Sequence, residues 1–217
     1  MADAMDSKSI SRKGVGVQVP ASAPPLGDPL AKAMLPVLLH RVGNAAQLLT
    51  SLDALLAVEP GALESRADDL ASARELVDEV GWLLALLASA SGARLLLDRR
   101  ERGGLAPLLA CVRACLRREG RDLAVVEGPL PGLSPDVGDG WQLPWTIASV
   151  LYLSGSSHPP RTSLRWGLEL RGDVWRIRCA ADRGSGSERV LRLLPEARLL
   201  REDDFLVLEL PRDWLLA

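Results

Sequence analysis

A regular pattern of apolar positions runs from residue 35 to residue 56. The apolar side chains recur at alternating intervals of three and four residues, at Leu35, Leu38, Val42, Ala45, Leu49, Leu52 and Leu56. This spacing is the a/d seam of a helix that packs lengthwise in a bundle. Asp28 and Pro29 are typical of an N-cap and a first helical position, and Glu59-Pro60-Gly61 ends the pattern. The pattern predicts a helix from about residue 29 to residue 58.

Pro36 lies inside this predicted helix, four residues before His40. Proline removes one backbone hydrogen bond and clashes with the preceding turn, so we expect a kink or a late start of the helix there.

A second stretch with the same spacing predicts another helix, from about residue 62 to residue 91. Its seam consists of Leu70, Ala73, Val77, Val80, Leu84 and Leu87. Two long helices joined by a short loop predict an antiparallel hairpin. Further leucines flank the two seams and widen the apolar faces, namely Leu39, Leu48, Leu55, Leu83 and Leu86. These faces favour a homodimer in which two hairpins form a four-helix bundle. The alternative is an intramolecular bundle with the third helix.

The pattern changes to mixed helix and strand from residue 105 onward. Helices are predicted at 105–118 and 141–153, with a short helix or turn at 188–194, and strands at 123–126, 163–170, 174–180, 198–200 and 205–210. Helix, strand, helix and then a mostly antiparallel sheet make an α/β sandwich. The predicted fold class is α+β: an N-terminal helical hairpin at residues 28–94 followed by an α/β sandwich at 105–217. Residues 1–27 are expected to be a disordered tail.

Composition and charge narrow the classes of function. The formal net charge of −2 and the lack of a dense basic face argue against nucleic acid as a partner. Three cysteines without a Cys-x-x-Cys motif indicate a reducing, cytoplasmic setting and no disulfide framework. No apolar run approaches the roughly 20 residues that span a bilayer, so no membrane partner is expected.

Several residues that could carry chemistry have structural interpretations. Cys111 and Cys115 lie four residues apart on a predicted helix and are expected to be buried thiols rather than metal ligands. Trp141 and Trp145 should pack inward. Cys179 is expected to be buried on a strand, and a second histidine, at position 158, to lie in a loop.

Candidate chemistry lies on the polar side of the first helix. His40 falls at heptad position f, turned away from the seam, and Asn44 and Gln47 share its face. An exposed imidazole is free to act as a nucleophile or proton carrier near neutral pH. The alternative is one surface histidine on an ordinary amphipathic helix.

The run H-R-V-G-N-A-A-Q-L-L-T-S-L at residues 40–52 resembles the phosphoacceptor box of the histidine kinase families whose box opens H-R-V-K-N-x-x-Q. Gly43 stands where those families carry Lys. The resemblance implies that His40 accepts a phosphoryl group and passes it to an aspartate of a response-regulator receiver domain. It also implies a dimeric hairpin that presents the histidine on a four-helix bundle.

The order of elements from residue 105 to residue 211 resembles the ATP-binding catalytic domain of histidine kinases, the Bergerat-type fold. Asp182-Arg183-Gly184-Ser185-Gly186 directly follows a predicted strand and matches the D-x-G-x-G box of that family. The resemblance implies that Asp182 accepts a hydrogen bond from the adenine amino group. Gly184 and Gly186 would let the backbone pass close to the nucleotide.

Two parts of the ATP site of those families have no counterpart here. The helix at 141–153 contains no Asn or acidic residue, whereas an Asn on the corresponding helix of the family holds magnesium. No glycine follows Gly186, and little chain remains for a lid over a triphosphate. Phosphoryl transfer from ATP would therefore lack its main charge stabilisation. The nucleotide box is expected to be vestigial.

This combination resembles the dimeric histidine phosphotransferases, which relay a phosphoryl group between receiver aspartates without binding ATP. The resemblance implies a cytoplasmic phosphorelay protein with an upstream hybrid histidine kinase and response-regulator receiver domains as partners. His40 would be the nucleophile, Arg41 would offset charge on the transferring group, and Asn44 would bind phosphoryl oxygens or position the imidazole. No cofactor is expected.

Two other functions remain open. One is a divergent histidine kinase that still uses ATP and magnesium through Asp182. The other is a non-catalytic dimeric scaffold that binds a receiver or a kinase. Nucleotide binding would identify the divergent kinase. A function that does not require His40 would identify the scaffold.

Overall fold

The structure of the chain, a computed structural model, describes residues 28–58, 66–92, 104–124, 130–134, 136–137, 140–180 and 191–216. The predicted tail at 1–27 lies outside these residues. The helices are α1 (Pro29–Val58), α2 (Ala67–Ala90), α3 (Leu105–Arg118) and α4 (Gln142–Ser156). The strands are β1 (Asp122–Ala124), β2 (Gly132–Leu133), β3 (Ser163–Arg165), β4 (Gly167–Arg171), β5 (Val174–Ala180), β6 (Arg198–Glu202), β7 (Phe205–Pro211) and β8 (Leu215–Leu216). The α+β class is confirmed.

Helix α1 begins where the sequence predicted, because Asp28 caps it. The Asp28 carboxylate accepts a hydrogen bond of 2.8 Å from the backbone N–H of Leu30, and so satisfies a donor that has no partner within the helix. Of the kink or late start predicted at Pro36, the late start is wrong, and the kink stays a prediction. The helix already runs through Pro36 from Pro29, because burial of Leu30, Met34 and Leu38 in the core outweighs the loss of one backbone bond.

The described strands form one larger antiparallel sheet and two small pairs. The larger sheet has the order β4-β5-β7-β6, while β1 pairs with β3 in parallel and β2 pairs with β8 antiparallel. The predicted hairpin is confirmed: β4 and β5 are joined at Gly172, whose φ of +64° suits glycine. The single strand predicted at 163–170 is wrong, because the chain breaks at the buried Trp166 and its two halves join different sheets.

The outer face of the larger sheet carries a buried cation. Arg176 on β5 is 6% exposed and pairs with one carboxylate from each of the other three strands of this sheet. Its guanidinium lies 3.3 Å from Glu169 and 3.2 Å from Glu209, and it also contacts Glu202. Because a buried charge is costly unless it is paired, this cluster links all four strands of the larger sheet, and its role is structural.

The hairpin and the α/β part share one hydrophobic core. Leu30, Met34 and Leu38 of α1 are fully buried in the same cluster as Leu83 and Leu86 of α2 and the inner faces of α3 and α4. Helix α4 is buried along nearly its whole length, against α1, α2, α3 and β5. The first part of the hairpin is therefore packed onto the α/β part within a single chain.

The predicted seam of α1 is only half buried in this single chain. Leu38, Ala45 and Leu52 are at most 7% exposed, whereas Leu35, Val42 and Leu49 are between 39% and 50% exposed. On α2, Val77 and Leu84 are exposed in the same way. The physical reason is that α2 covers one side of the seam and leaves the other side open. The first turns of α1 therefore pack against α3 within one chain, as the alternative of an intramolecular bundle predicted.

The predicted burial of the three cysteines and of Trp141 and Trp145 is confirmed. Cys111, Cys115, Cys179 and Trp145 are at most 2% exposed, and Trp141 is 9% exposed. Along the described chain no helix is long and apolar enough to cross a membrane. Nor do the described residues contain a group of three or more His, Cys, Asp and Glu side chains that could hold a metal ion.

Candidate functional site

His40 lies on the exposed surface of α1, in the middle of a continuous helix. Leu38, two residues earlier, is fully buried in the core, so the backbone that carries His40 is held firmly. The imidazole itself points away from that core, as heptad position f requires. The structure therefore places an imidazole in solvent on a rigid support.

Asn44 is the polar neighbour of His40. Its amide nitrogen lies 3.5 Å from Nε2 of His40, one helical turn along the same face. When the imidazole carries its proton on Nδ1, the Asn44 amide donates to the single lone pair of Nε2. An electrophile that arrives at Nε2 would meet both a nucleophilic nitrogen and an amide N–H donor. Gln47 is exposed farther along the helix.

Arg41 does not join His40 and Asn44. Its guanidinium forms an ion pair with Glu79 of α2, and its side chain is only 19% exposed. Because successive residues of a helix point about 100° apart, Arg41 faces α2 and α3 while His40 faces solvent. The predicted role of Arg41 in offsetting phosphoryl charge requires that it leave Glu79.

Arg41 also lines a groove between α1 and α3, which we call the α1–α3 groove. The groove encloses about 420 Å³. Its floor is apolar, formed by small and aliphatic side chains that include Leu109, Ala110 and Leu130, and its rim carries the three guanidinium groups of Arg41, Arg113 and Arg117. Arg41, which contributes to this rim, is the residue directly after His40.

The two thiols of α3 lie close enough to Arg41 to sense its charge. Cys115 and Cys111 hydrogen-bond each other, and this bond together with burial raises the pKa of Cys115. The same bond, aided by the positive charge of Arg41, lowers the pKa of Cys111. Both thiols are 1% exposed, so they are packing residues and not nucleophiles.

The nucleotide box predicted at Asp182, Gly184 and Gly186 lies outside the described residues. The helix that would hold magnesium is described, as α4. Its one carboxamide, Gln142, stands at its first residue and is 9% exposed. Thr146 and Ser149 are buried and their hydroxyls find no hydrogen-bond partner among the described residues. Neutral hydroxyl groups are poor ligands for magnesium.

Sequence reasoning missed the partner of Arg41 and the arginines of α3. Glu79 directly precedes the seam residue Val80, and nothing in its position marked it as a partner of Arg41. Arg113 and Arg117 did carry a signal: residues four apart on a predicted helix share a face. That signal alone could not reveal the apolar floor beside them.

No family model matches the chain, and no curated protein matches it. Among solved structures, the chain is similar to a bacterial phosphotransferase, with 15% identity, 83% of this chain and 92% of that chain covered, and a TM-score of 0.38. It is also similar to the histidine kinase AdeS of Acinetobacter baumannii, with 9% identity, coverage of 84% and 96%, and a TM-score of 0.38.

A third similar structure is the histidine kinase domain of a blue-light activated histidine kinase from Erythrobacter litoralis. The identity is 15%, the alignment covers 85% of this chain and 93% of that chain, and the TM-score is 0.40. These three structures are histidine kinase or phosphotransferase proteins. Similarity of this degree decides nothing about activity.

Proposed function

We propose that this protein is a cytoplasmic histidine phosphotransferase that carries a phosphoryl group on His40 between receiver-domain aspartates. The observation that carries the proposal is the placement of His40: an exposed imidazole with Asn44 one turn away, on a helix anchored by buried neighbours. A surface histidine of no function needs neither the polar neighbour nor the H-R-V-x-N context.

The proposed step needs little from this chain. Nε2 of His40 attacks the phosphorus of an aspartyl phosphate, the N–P bond forms, and the P–O bond to the aspartate breaks as the carboxylate leaves with its electron pair. The amide N–H of Asn44 then bonds a phosphoryl oxygen instead of Nε2. Attack by the aspartate of a second receiver reverses the sequence and frees His40. The two receivers belong to an upstream hybrid histidine kinase and a response regulator.

Helix α4 supports a function without ATP. The helix is enclosed by other elements along nearly its whole length and offers no carboxylate, so nothing on it favours a magnesium–triphosphate complex. The hairpin is also packed onto α3 and α4 through a continuous core. A kinase must bring its nucleotide domain to the histidine, and this packing opposes such a movement. We therefore propose no cofactor.

The exposed apolar positions of the hairpin support a homodimer. Leu35, Val42 and Leu49 of α1 lie on one open stripe, and Val77 and Leu84 on α2 are likewise uncovered. An exposed apolar surface of this regularity is typical of a subunit interface. Two hairpins joined through these stripes form a four-helix bundle with His40 on its outside.

The test is phosphoryl transfer to the purified full chain from a panel of phosphorylated receiver domains, with radiolabelled ATP alone as a parallel arm. The chain has only two histidines, so His158→Ala is a matched control for His40→Ala. We expect acid-labile label on wild type and on His158→Ala, from receivers only. We expect His40→Ala to lose at least about 1,000-fold in transfer rate, because it removes the nucleophile.

Label that arrives directly from ATP would instead identify a divergent histidine kinase. Absence of label from every receiver and from ATP would refute both enzymatic functions. A scaffold would then be the remaining function, and it should bind receivers equally well with and without His40.

A further inference from the structure

The rim of the α1–α3 groove carries more positive than negative charge. Arg113 and Arg117 share a single carboxylate, with their Nε atoms 3.6 Å and 3.0 Å from Asp122. Arg41 is paired with Glu79. Among the described residues, two carboxylates therefore pair with the three guanidinium groups, and neither of these carboxylates lines the groove. The groove rim therefore carries a net positive charge, although the chain as a whole has a formal net charge of −2.

The guanidinium groups also keep unused hydrogen-bond donors. A guanidinium has five N–H donors in a planar fork. The Nε of Arg113 is buried and out of reach of a partner, but its side chain as a whole is 34% exposed. Arg117 is 56% exposed and directs only its Nε–H to Asp122. The terminal N–H groups of the two exposed side chains can therefore bind further carboxylates.

We propose that the α1–α3 groove docks an acidic segment with an apolar side, contributed by the receiver domain that exchanges its phosphoryl group with His40. This inference rests on the proposed function and names a second contact for the same partner. Charge complementarity selects an acidic occupant, and the apolar floor selects one with a nonpolar side. Since Arg41 directly follows His40, a partner over His40 reaches the rim without crossing the molecule.

Glu79 acts within this proposal as an internal competitor. Its carboxylate already holds Arg41 in the way that an acidic partner would. Docking would exchange Glu79 for a carboxylate of the partner. Removing the charge of Glu79 should therefore strengthen docking, whereas removing the charges of Arg113 and Arg117 should weaken it. These opposite signs separate a specific rim from a general effect of charge.

The experiment measures the affinity of fluorescently labelled receiver domains, in the same panel as above, for the full-length chain. The test variant is Arg113→Glu/Arg117→Glu, and the matched control is Arg198→Glu/Arg212→Glu, two exposed arginines on the sheet side that do not line the groove. We expect about tenfold or more loss of affinity for the test variant and less than about twofold for the control. Glu79→Gln should tighten binding by about two- to threefold.

A second variant protects the test against misfolding. Reversed charges opposite Asp122 could disturb β1, so Arg113→Gln/Arg117→Gln removes the charge without repulsion. It should also weaken binding, by a smaller factor, and circular dichroism should match that of wild type. The affinity of wild type should fall with added salt more steeply than that of either groove variant.

Four results would overturn the proposal: unchanged affinity in the groove variants, an equal loss in the control, no binding by any receiver of the panel, or a change of molecular mass in the groove variants. The last result would mean that the occupant is a second copy of this chain. The proposed function fails separately. In that case receivers bind through the groove and the His40→Ala variant binds as wild type does, but no label ever appears on His40.

Discussion

The two halves of helix α1 share one apolar pattern but have different surroundings. In the first half, Leu30, Met34 and Leu38 are fully buried against α2, α3 and α4. In the second half, Leu49, Leu55 and Val58 are 46%, 44% and 80% exposed, and α2 is the main cover. An a/d pattern indicates that a helix packs against other helices. In α1 the helices that cover this apolar face differ between the first and the second half.

His40 stands at the boundary between the two halves. Before it, Leu30, Met34 and Leu38 anchor the helix in the core shared with α3 and α4. After it, Leu49, Leu55 and Val58 are exposed, and the buried Ala45 and Leu52 lie outside that core. The anchored half keeps the imidazole in a defined place, while the open half offers area to a second hairpin or to a receiver. Both conditions suit a residue that must meet a large protein partner and react with it.

The largest expected effect concerns the anchored half. Leu38→Ala should reduce the free energy of unfolding by about 2–5 kcal/mol, because it leaves a cavity in the shared core. Leu39→Ala, at the next residue, should change it by less than about 0.5 kcal/mol, because Leu39 is 63% exposed. Urea unfolding followed by circular dichroism measures both. Equal effects at the two positions would contradict the burial of Leu38 in the shared core.

The next effect concerns the open half and is expected in association rather than in folding. Leu49→Glu places a charge on the exposed apolar stripe and should raise the dimer dissociation constant by about 100-fold, because that charge would have to be buried. Gln47→Glu adds the same charge outside the stripe and serves as the control. Sedimentation equilibrium over a range of concentrations gives both constants. A wild-type chain that is monomeric at every concentration would refute the dimer.

The smallest expected effect concerns the contact between α3 and α4, the helices against which the first half of α1 packs. Tyr152 of α4 donates a hydrogen bond to Glu119 at the end of α3, and burial, followed by this bond, raises the pKa of Tyr152 above its usual value of about 10. The folded state therefore keeps the phenol proton at a pH where the unfolded state has lost it. The contribution to stability is complete below about pH 10 and is lost as the pH rises above it.

Tyr152 is the only tyrosine of the chain, so ultraviolet absorbance reports its ionisation directly. The phenolate should appear at higher pH in the folded chain than in urea. Tyr152→Phe should reduce the free energy of unfolding by about 1 kcal/mol at neutral pH and remove this part of the alkaline dependence. If phenolate forms at the same pH in the folded and the unfolded chain, the bond between α3 and α4 is absent.

Much of the fold could be predicted from local patterns. The ends of α1 and α3, the hairpin of β4 and β5, and the closing hairpin of β6 and β7 all follow from periodicity, capping and turn residues. Strand β2 could not be predicted, since its two residues lie in a loop-like segment and are strand only because β8 pairs with them. The break at Trp166 has the same origin, because alternation does not reveal which sheet a strand joins.

The candidate site, like the fold, was predictable from the sequence only in part. His40 and Asn44 were predictable because both belong to one helix and their spacing places them on one face. Arg41 was assigned to the same chemistry by its adjacency in sequence, yet its guanidinium is bound to Glu79, 38 residues away. The nucleotide box at Asp182 lies beyond the described residues and stays a prediction.

By itself the sequence determined which faces of the helices are apolar, where α1 and α3 begin, and which side of α1 carries the imidazole. These properties depend on residues within a few turns of one another, and the geometry of a helix relates them directly. Only the tertiary structure decided which apolar positions α3 and α4 cover, that Arg41 pairs with Glu79, and that three arginines surround one groove. Such contacts join residues far apart in the chain, and their energy depends on how whole elements pack rather than on any local spacing.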